Sequence, residues 1–561
     1  MTEQIWGRPA AGREPAGVAL LAWLADPAAP RLCLVTGNKD CGKSALLAWL
    51  VAHGSRPGTR PQRRVHGFAP LADQTVTTAA WTLSEQLSVA ARTPGELVRA
   101  LSADMRRTVL VLPDLHAAKD PEPLSDLVLH LARHDHIRLV VEVRTGCHEA
   151  SSLMTLGPAV MDLDDGQWTD SARKAAWSDV APGSSTVECD DAPPGEWAGD
   201  LNDVAAVCTS DPWQISRRYE QSEEAHGGLR PAWLRAGASL TRDQAAADRA
   251  LTLLAALGDE ADPRLPEQLS SLASGAAWRL VWRRVRGDIR PPWPGPARAL
   301  AAGHTALEGS LLVADHRGTV RVIDARDGAS QGRLPSLIDG VCSVSACPDG
   351  TVLVLDGHGR LHTQRTPSGP KPTGIRALLD DGPSPMERLV EVANNLLQDH
   401  PATAAASSES LLAMADGHGS VRAYALEGNQ EWHRTVQLHT GGVTALAVLE
   451  LPTADGSERV PLIYSGGIDG HVRVWQPGAD PLDTPVAVRE CPVTALDAVH
   501  ATESGPVLAI AWADGLVEYV ILDTGQVHAF RPGPPVQAVA LHHDGLLVVG
   551  TDETLVCLQP M

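Results

Sequence analysis

The 561-residue sequence has no CxxC pair, and its nine cysteines are scattered from Cys33 to Cys557. An odd number of thiols without paired spacing argues against a disulfide framework or a zinc ribbon and for a reducing, cytoplasmic setting. No apolar run approaches the ~18 residues that span a bilayer, so no membrane segment is expected. The opening residues Met1–Arg8 carry neither a basic region nor an apolar core of the kind that marks a secretory signal. Lysine is scarce: Lys39, Lys43, Lys119, Lys174 and Lys371 are the only five. Positive charge is short overall. The formal net charge is −21, and residues 1–150 are close to neutral, so the acidic excess lies beyond them. Such a surface repels phosphate backbones, and nucleic acid and anionic membranes are not expected partners.

What is present is an ordinary globular composition, 43% hydrophobic and 20% charged. At ~150 residues per domain the length suggests three to four domains, or fewer if one is a repeat array. The first part alternates short apolar runs with helical stretches. Val18–Leu24 reads as a helix, Leu32–Val35 as a strand, and Ala45–Val51 as a helix. Helices follow near 80–90 and 94–105, then the strand Thr108–Leu112, a helix Leu124–Arg133 and the strand Ile137–Val143. Continuously apolar strands separated by helices predict a parallel sheet covered on both faces. Residues 165–238 are rich in Gly, Pro, Asp and Ser and suggest no fold. Thr241-Arg-Asp-Gln244 resembles a capping box that opens a helix ending near Gly258, and Pro266–Leu272 reads as another helix.

After Trp278 the apolar period changes from 3.6 to 2. Five turns repeat one grammar: Asp315-His-Arg-Gly-Thr-Val320, Asp356-Gly-His-Gly-Arg-Leu361, Asp416-Gly-His-Gly-Ser-Val421, Asp469-Gly-His-Val472 and Asp514-Gly-Leu-Val517. A weaker copy is Thr551–Leu555. The turn glycines Gly318, Gly359, Gly419, Gly470 and Gly515 stand 41, 60, 51 and 45 residues apart. A four-stranded propeller blade takes ~40–45 residues. The two long gaps predict insertions, an amphipathic helix at Pro385–Gln398 and a polar loop at Leu451–Val460. Six blades are visible and a seventh is possible. The last copy ends one strand short, and Trp278–Val285 is the candidate strand to close the ring. The turn histidines His316, His358, His418 and His471 recur with the repeat and read as turn residues. The expected architecture is multidomain: an α/β domain over 1–165, an irregular or helical bridge over 166–275 and an all-β propeller over 276–561.

Between the strand Leu32–Val35 and the helix Ala45–Val51 lies Gly37-Asn38-Lys39-Asp40-Cys41-Gly42-Lys43-Ser44. This matches the phosphate-binding loop G-x-x-x-x-G-K-[ST] in its required strand–loop–helix context. The loop's backbone N–H groups would wrap phosphates, Lys43 would reach the β/γ-phosphates, and Ser44 would ligate Mg²⁺. An acid is expected after the strand Thr108–Leu112 to hold the metal. Here Pro113 takes the usual place and Asp114 follows one position late. Asp40 adds a negative charge inside the loop, against which Lys39 or Arg13 could compensate. Arg144, at the carboxyl edge of the sheet, is a candidate sensor of the γ-phosphate. The sequence leaves open whether ATP is hydrolysed or only bound.

These segments resemble the STAND-type signalling P-loop ATPases that carry a C-terminal WD-repeat propeller. The resemblance rests on Gly12-Arg-Glu14 with Leu21 and Trp23-Leu24, on Gly37–Ser44, on Asp114-Leu-His116 and on Val141-Glu-Val-Arg144, over about 1–165. In the propeller, over about 278–561, the nearest copy is His439-Thr-Gly-Gly-Val443 with Ser465-Gly-Gly-Ile-Asp469-Gly-His-Val-Arg-Val-Trp475. There His439, Ser465, Asp469 and Trp475 hold the places of a buried hydrogen-bond chain. The resemblance implies an ATP/ADP- and Mg²⁺-dependent switch whose propeller senses or recruits a protein partner. No room is expected before Trp6 for an effector, so the output is expected to pass through a separate protein or self-assembly. The alternative is an interaction scaffold whose loop no longer hydrolyses nucleotide.

Overall fold

The computed structural model describes residues 9, 12–56, 58–174, 197, 199–288, 293, 295–335, 338–365, 383–396, 401–427, 430–453 and 459–561. Trp6, Trp177, Cys189, the far end of the inserted helix at Gln398 and the middle of the polar loop at 454–458 lie outside the described residues. The chain divides into two compact units. One holds Met1–Gly199 and Asp211–Gln221, the other Asp200–Ser210 and Ser222–Met561.

The first unit is built on a parallel sheet of five strands: β1 (Leu32–Thr36), β2 (Gly67–Phe68), β3 (Thr108–Leu112), β4 (Ile137–Glu142) and β5 (Ala159–Asp162). Their order is β2-β3-β4-β1-β5. Alternate residues feed opposite faces. Leu32, Leu34, Leu110, Leu112, Leu139 and Val141 enter one core, while Cys33, Val35, Val109, Val111 and Val140 enter the other. Helices α1 (Glu14–Ala25), α2 (Lys43–Gly54), α3 (Val76–Gln86), α4 (Pro94–Ala103), α5 (Pro121–Leu131) and α6 (His148–Met154) cover the sheet. This two-sided burial is why the strands read as unbroken apolar runs. The order sets the carboxyl ends of β3, β4 and β1 side by side, the edge where open α/β sheets bind ligands.

The unassigned stretch after residue 165 includes the helices Val204–Thr209, Pro212–Gln221 and Leu229–Leu240. The expected capping box at Thr241 is overturned. Thr241 caps the C-terminus of Leu229–Leu240, its hydroxyl donating to Gly237 O at 2.9 Å. The next helix, Ala246–Ala256, starts after Ala245. Gln244 is drawn back to Ser239 O at 2.9 Å, so the Thr–Gln pair closes one helix instead of opening the next.

The second unit contains the propeller: six antiparallel sheets, with the first strands of successive blades as neighbours around a ring. The turn grammar has a direct cause. The Oδ1 of Asp315 accepts from Arg317 N at 2.8 Å and Thr319 N at 3.1 Å, and Asp356 and Asp416 repeat the pattern. The turn must pass through positive φ, and at Gly470 (φ +74°) a Cβ would lie 2.0 Å from Arg489 O. Blade two has three strands among the described residues. The inserted helix, Pro385–Leu396, sends Met386, Leu389, Val390 and Ala393 into the core of blades two and three. Its Asn394 side chain bonds both Leu361 N (3.1 Å) and Leu361 O (2.9 Å), serving the strand edge as a neighbouring strand would. The described flanks of the polar insertion are paired as well: strands Val443–Pro452 and Arg459–Gly467 stay in register out to Pro452↔Arg459.

The ring closes as expected. Strand β6 (Trp278–Val285) pairs antiparallel with Thr554–Pro560, from Pro560↔Trp278 to Thr554↔Val285. In the fourth blade His439 binds Ser465 Oγ through Nε2 at 2.9 Å and Asp469 through Nδ1 at 3.0 Å. Trp475 stands outside that chain, because its indole donates to Ala479 O at 3.0 Å, in the turn that follows its own strand. No described helix is long and apolar enough to cross a membrane.

Candidate functional site

The loop after β1 turns on two glycines. At Gly37 (φ +146°) a Cβ would lie 2.5 Å from Cys41 Sγ, and Gly42 (φ +90°) is the N-cap of α2 without a capping side chain. Asp40 adopts φ +62°. Asn38 N donates to Asp164 Oδ2 at 2.9 Å, which ties the loop to the segment after β5. From Lys39 to Ala45, no described group accepts a hydrogen bond from the backbone N–H groups. A row of free amides at a helix N-terminus is an anion-binding arrangement.

Arg13 braces the loop from beneath. It is buried and donates to Leu163 O at 2.8 Å, to Thr169 Oγ1 at 2.7 Å and to Cys41 O. Its guanidinium is spent on these groups and forms no ion pair with Asp40, which stands exposed at the loop tip beside Lys39. Lys43 is 6% exposed and donates to Gly37 O at 3.0 Å and Asn38 O at 2.8 Å, with Glu142 Oε1 3.9 Å away. Its ammonium is therefore held at the centre of the loop.

Sequence reasoning did not single out Glu142. It ends β4 at 1% exposure, and Ser44 Oγ stands 3.4 Å from each of its carboxylate oxygens. Burial, and then the negative charge of Asp114, push its pKa up to about 7, while Lys43 and Ser44 pull it back. Asp114 reaches this carboxylate because its backbone is left-handed (φ +59°, ψ +34°) directly after Pro113. The late position of the acid is thus compensated by a backbone turn, at a strain cost of order 1–3 kcal/mol for such conformations. Ser44, Asp114 and Glu142 together make an all-oxygen donor set of the kind that suits Mg²⁺. The available signal was a lone carboxylate ending a buried strand that is apolar apart from Arg138.

Arg144 is exposed, and its charge bears on His116. Burial, then Arg144, hold the His116 imidazole below its ordinary range, with Lys43 adding to the effect, so it is neutral near pH 7. Its Nδ1 is buried without a partner. Lys43, Ser44, Asp114 and Glu142 thus converge directly, Arg144 and His116 flank them, and Lys39 and Asp40 stay at the rim.

One consequence is measurable. Glu142 holds its proton to about 7 in the fold against an ordinary 4.5. Between those values the folded chain binds more protons than the unfolded one, so this group's contribution to stability falls as pH rises. Glu142→Gln keeps the shape and removes the charge. It is expected to change the melting temperature little at about pH 5 and to raise it relative to the native chain at about pH 8. Thermal melts of both chains at the two pH values check this; a difference that does not grow with pH refutes it. No protein-family model matches this chain and no curated protein matches it in sequence, so its own residues carry the functional reading.

Proposed function

We propose that the α/β unit binds ATP or ADP with Mg²⁺ and that nucleotide state gates a protein partner carried by the propeller, as in a STAND-type switch. The observation that supports this best is the row of unaccepted amides from Lys39 to Ala45, closed on one side by Lys43 and on the other by Ser44, Asp114 and Glu142. The amides and Lys43 are placed for phosphate oxygens, and Ser44, Asp114 and Glu142 would hold Mg²⁺. The metal would supply charge neutralisation across the β- and γ-phosphates. It would also relieve the repulsion between the two carboxylates. Arg144 is the candidate contact to the γ-phosphate. The propeller, a ring of six blades, suits a protein-interaction scaffold.

The direct test is equilibrium titration of the purified chain with a fluorescent ATP analogue, with and without Mg²⁺. Saturable 1:1 binding strengthened by Mg²⁺ is expected, and absence of saturable binding overturns the reading. A scaffold whose loop binds without turnover is the second reading, favoured by Pro113 in the usual acid position and by Asp40 inside the loop. Both features lead us to expect turnover below ~1 s⁻¹, the low end of ordinary enzyme rates. A steady-state phosphate-release assay decides this, and fast multiple turnover by the chain alone would show that the acids are fully competent.

A further inference from the structure

The first strands of the six blades surround a central channel, a cavity of about 460 Å³. That volume falls within the ~300–1,000 Å³ typical of small-molecule sites. Its wall is made largely of small apolar residues, among them Ala301, Ala346, Ala405, Ala447 and Ala538. Two carboxylates interrupt it: Glu308, which is exposed, and Asp497. Asp497 accepts from Leu541 N of the next blade at 2.7 Å and from Ala498 N at 2.9 Å. These bonds fix the carboxylate in place, and each oxygen keeps a free acceptor site. Among the described residues Asp497 makes no ion pair. The basic residues of the lining are Arg298, His304 and His543, and all three are exposed.

A second polar place lies three residues earlier on the same strand, ~10 Å away at the usual strand rise. Thr403 and Thr444 occupy bulges at the start of their strands and latch each blade to the next, donating to Val443 O and Val493 O at 2.6 Å each. Thr494 and Gln537 hold the corresponding bulges of the last two blades. Here the series breaks: Thr494 Oγ1 and Gln537 Oε1 are buried without a partner. Polar atoms left in this way inside a cavity are costly unless something bonds them.

We propose that the channel binds a small, extended organic cation whose primary ammonium pairs with Asp497 and whose second hydrogen-bonding end meets Thr494 and Gln537. An anionic ligand is disfavoured by Asp497, and a neutral one leaves the carboxylate buried without a counter-charge. Burial already pushes the Asp497 carboxyl up to about 7, which is the strain that a cation would release. This site is independent of the nucleotide reading.

The probe is 1,6-diaminohexane, with 1,6-hexanediol as its uncharged counterpart, titrated calorimetrically into the full chain. The diamine is expected to bind 1:1 and at least roughly tenfold more tightly than the diol, as a hydrogen-bonded charge implies. Asp497→Asn is expected to erase that preference, and Thr494→Val to weaken the diamine severalfold while leaving Asp497 in place. If Asp497→Asn does not fold, the native chain's preference and Thr494→Val decide. Equal affinity for diamine and diol, a preference that survives Asp497→Asn, indifference to Thr494→Val, or no saturable binding overturns the proposal.

Discussion

Lys43→Ala is expected to lower affinity for Mg²⁺-bound ATP by roughly 10- to 100-fold and to leave the fold standing. Hydrogen bonds from a charged donor contribute about 1.5–3 kcal/mol, which corresponds to that range. Lys43 is the one cation placed inside the loop, since Lys39 stands at its rim and Arg13 is committed beneath it. Loss of an ammonium this buried would ordinarily destabilise by stranding its partners. Two features soften that here. The carbonyl of Asn38 belongs to an exposed residue of the loop that water can reach. Glu142, already held up to about 7, takes a proton when its nearby cation is removed. The expected signature is therefore a melting temperature close to native at neutral pH together with a severe binding defect. Titration with a fluorescent ATP analogue, beside a thermal melt, reads both. Equal affinity in the two chains would mean that the loop is only a glycine-rich turn.

The contrast between Lys43 and Glu142 shows what a linear reading can reach. The strand–loop–helix around Gly37–Ser44 is local. Its apolar runs, glycines and lysine are neighbours in sequence, so motif and context appear together. The parallel sheet was legible for a similar reason, because strands buried on both faces carry no alternation to blur them. Glu142 and Asp114 meet only because β4 lies between β1 and β3, an order that no run of residues encodes. The left-handed turn at Asp114, which offsets the displaced acid, is likewise invisible before the backbone is seen. The helical stretch around 200–260 was misread at Thr241 because a threonine followed three residues later by glutamine looks the same whether it ends one helix or begins another. Only the hydroxyl's bond to Gly237 O tells them apart. In the propeller, repetition supplied what locality did not. Six copies of one turn made the blades countable, and the short last copy pointed to a strand from elsewhere. Trp475 misled in the opposite way. Its position fits the repeat, yet its indole bonds within its own turn.

Removing the closing strand is expected to have the largest effect on stability. β6 supplies the fourth strand of the last blade, and its two tryptophans fasten that blade to both neighbours. Trp278 Nε1 donates to Ala529 O of blade five at 2.9 Å, and Trp282 Nε1 donates to Ala325 O of blade one at 2.8 Å. Trp282 is 6% exposed and shares a core with Leu311, Val313, Ile323, Val548 and Leu555, which come from the first and last blades. The fit is close: a Cβ at Gly328 (φ +67°) would lie 2.8 Å from the Trp282 ring. A truncation of this size, tryptophan to alanine in a packed core, costs about 3–5 kcal/mol. Trp282→Ala in the full chain is therefore expected to lower the unfolding midpoint of the propeller in denaturant, and the loss should exceed that of Val281→Ala, whose side chain is 38% exposed on the same strand. The stronger test removes the strand altogether. A chain beginning at residue 291 leaves Thr554–Pro560 with an unpaired edge, and such edges recruit other chains. It is expected to aggregate, whereas a chain beginning near residue 274 keeps the ring and stays monomeric in size-exclusion chromatography. Equal solubility and equal midpoints for the two chains would show that the ring does not depend on β6, and the tryptophan latches would then be packing without consequence for closure.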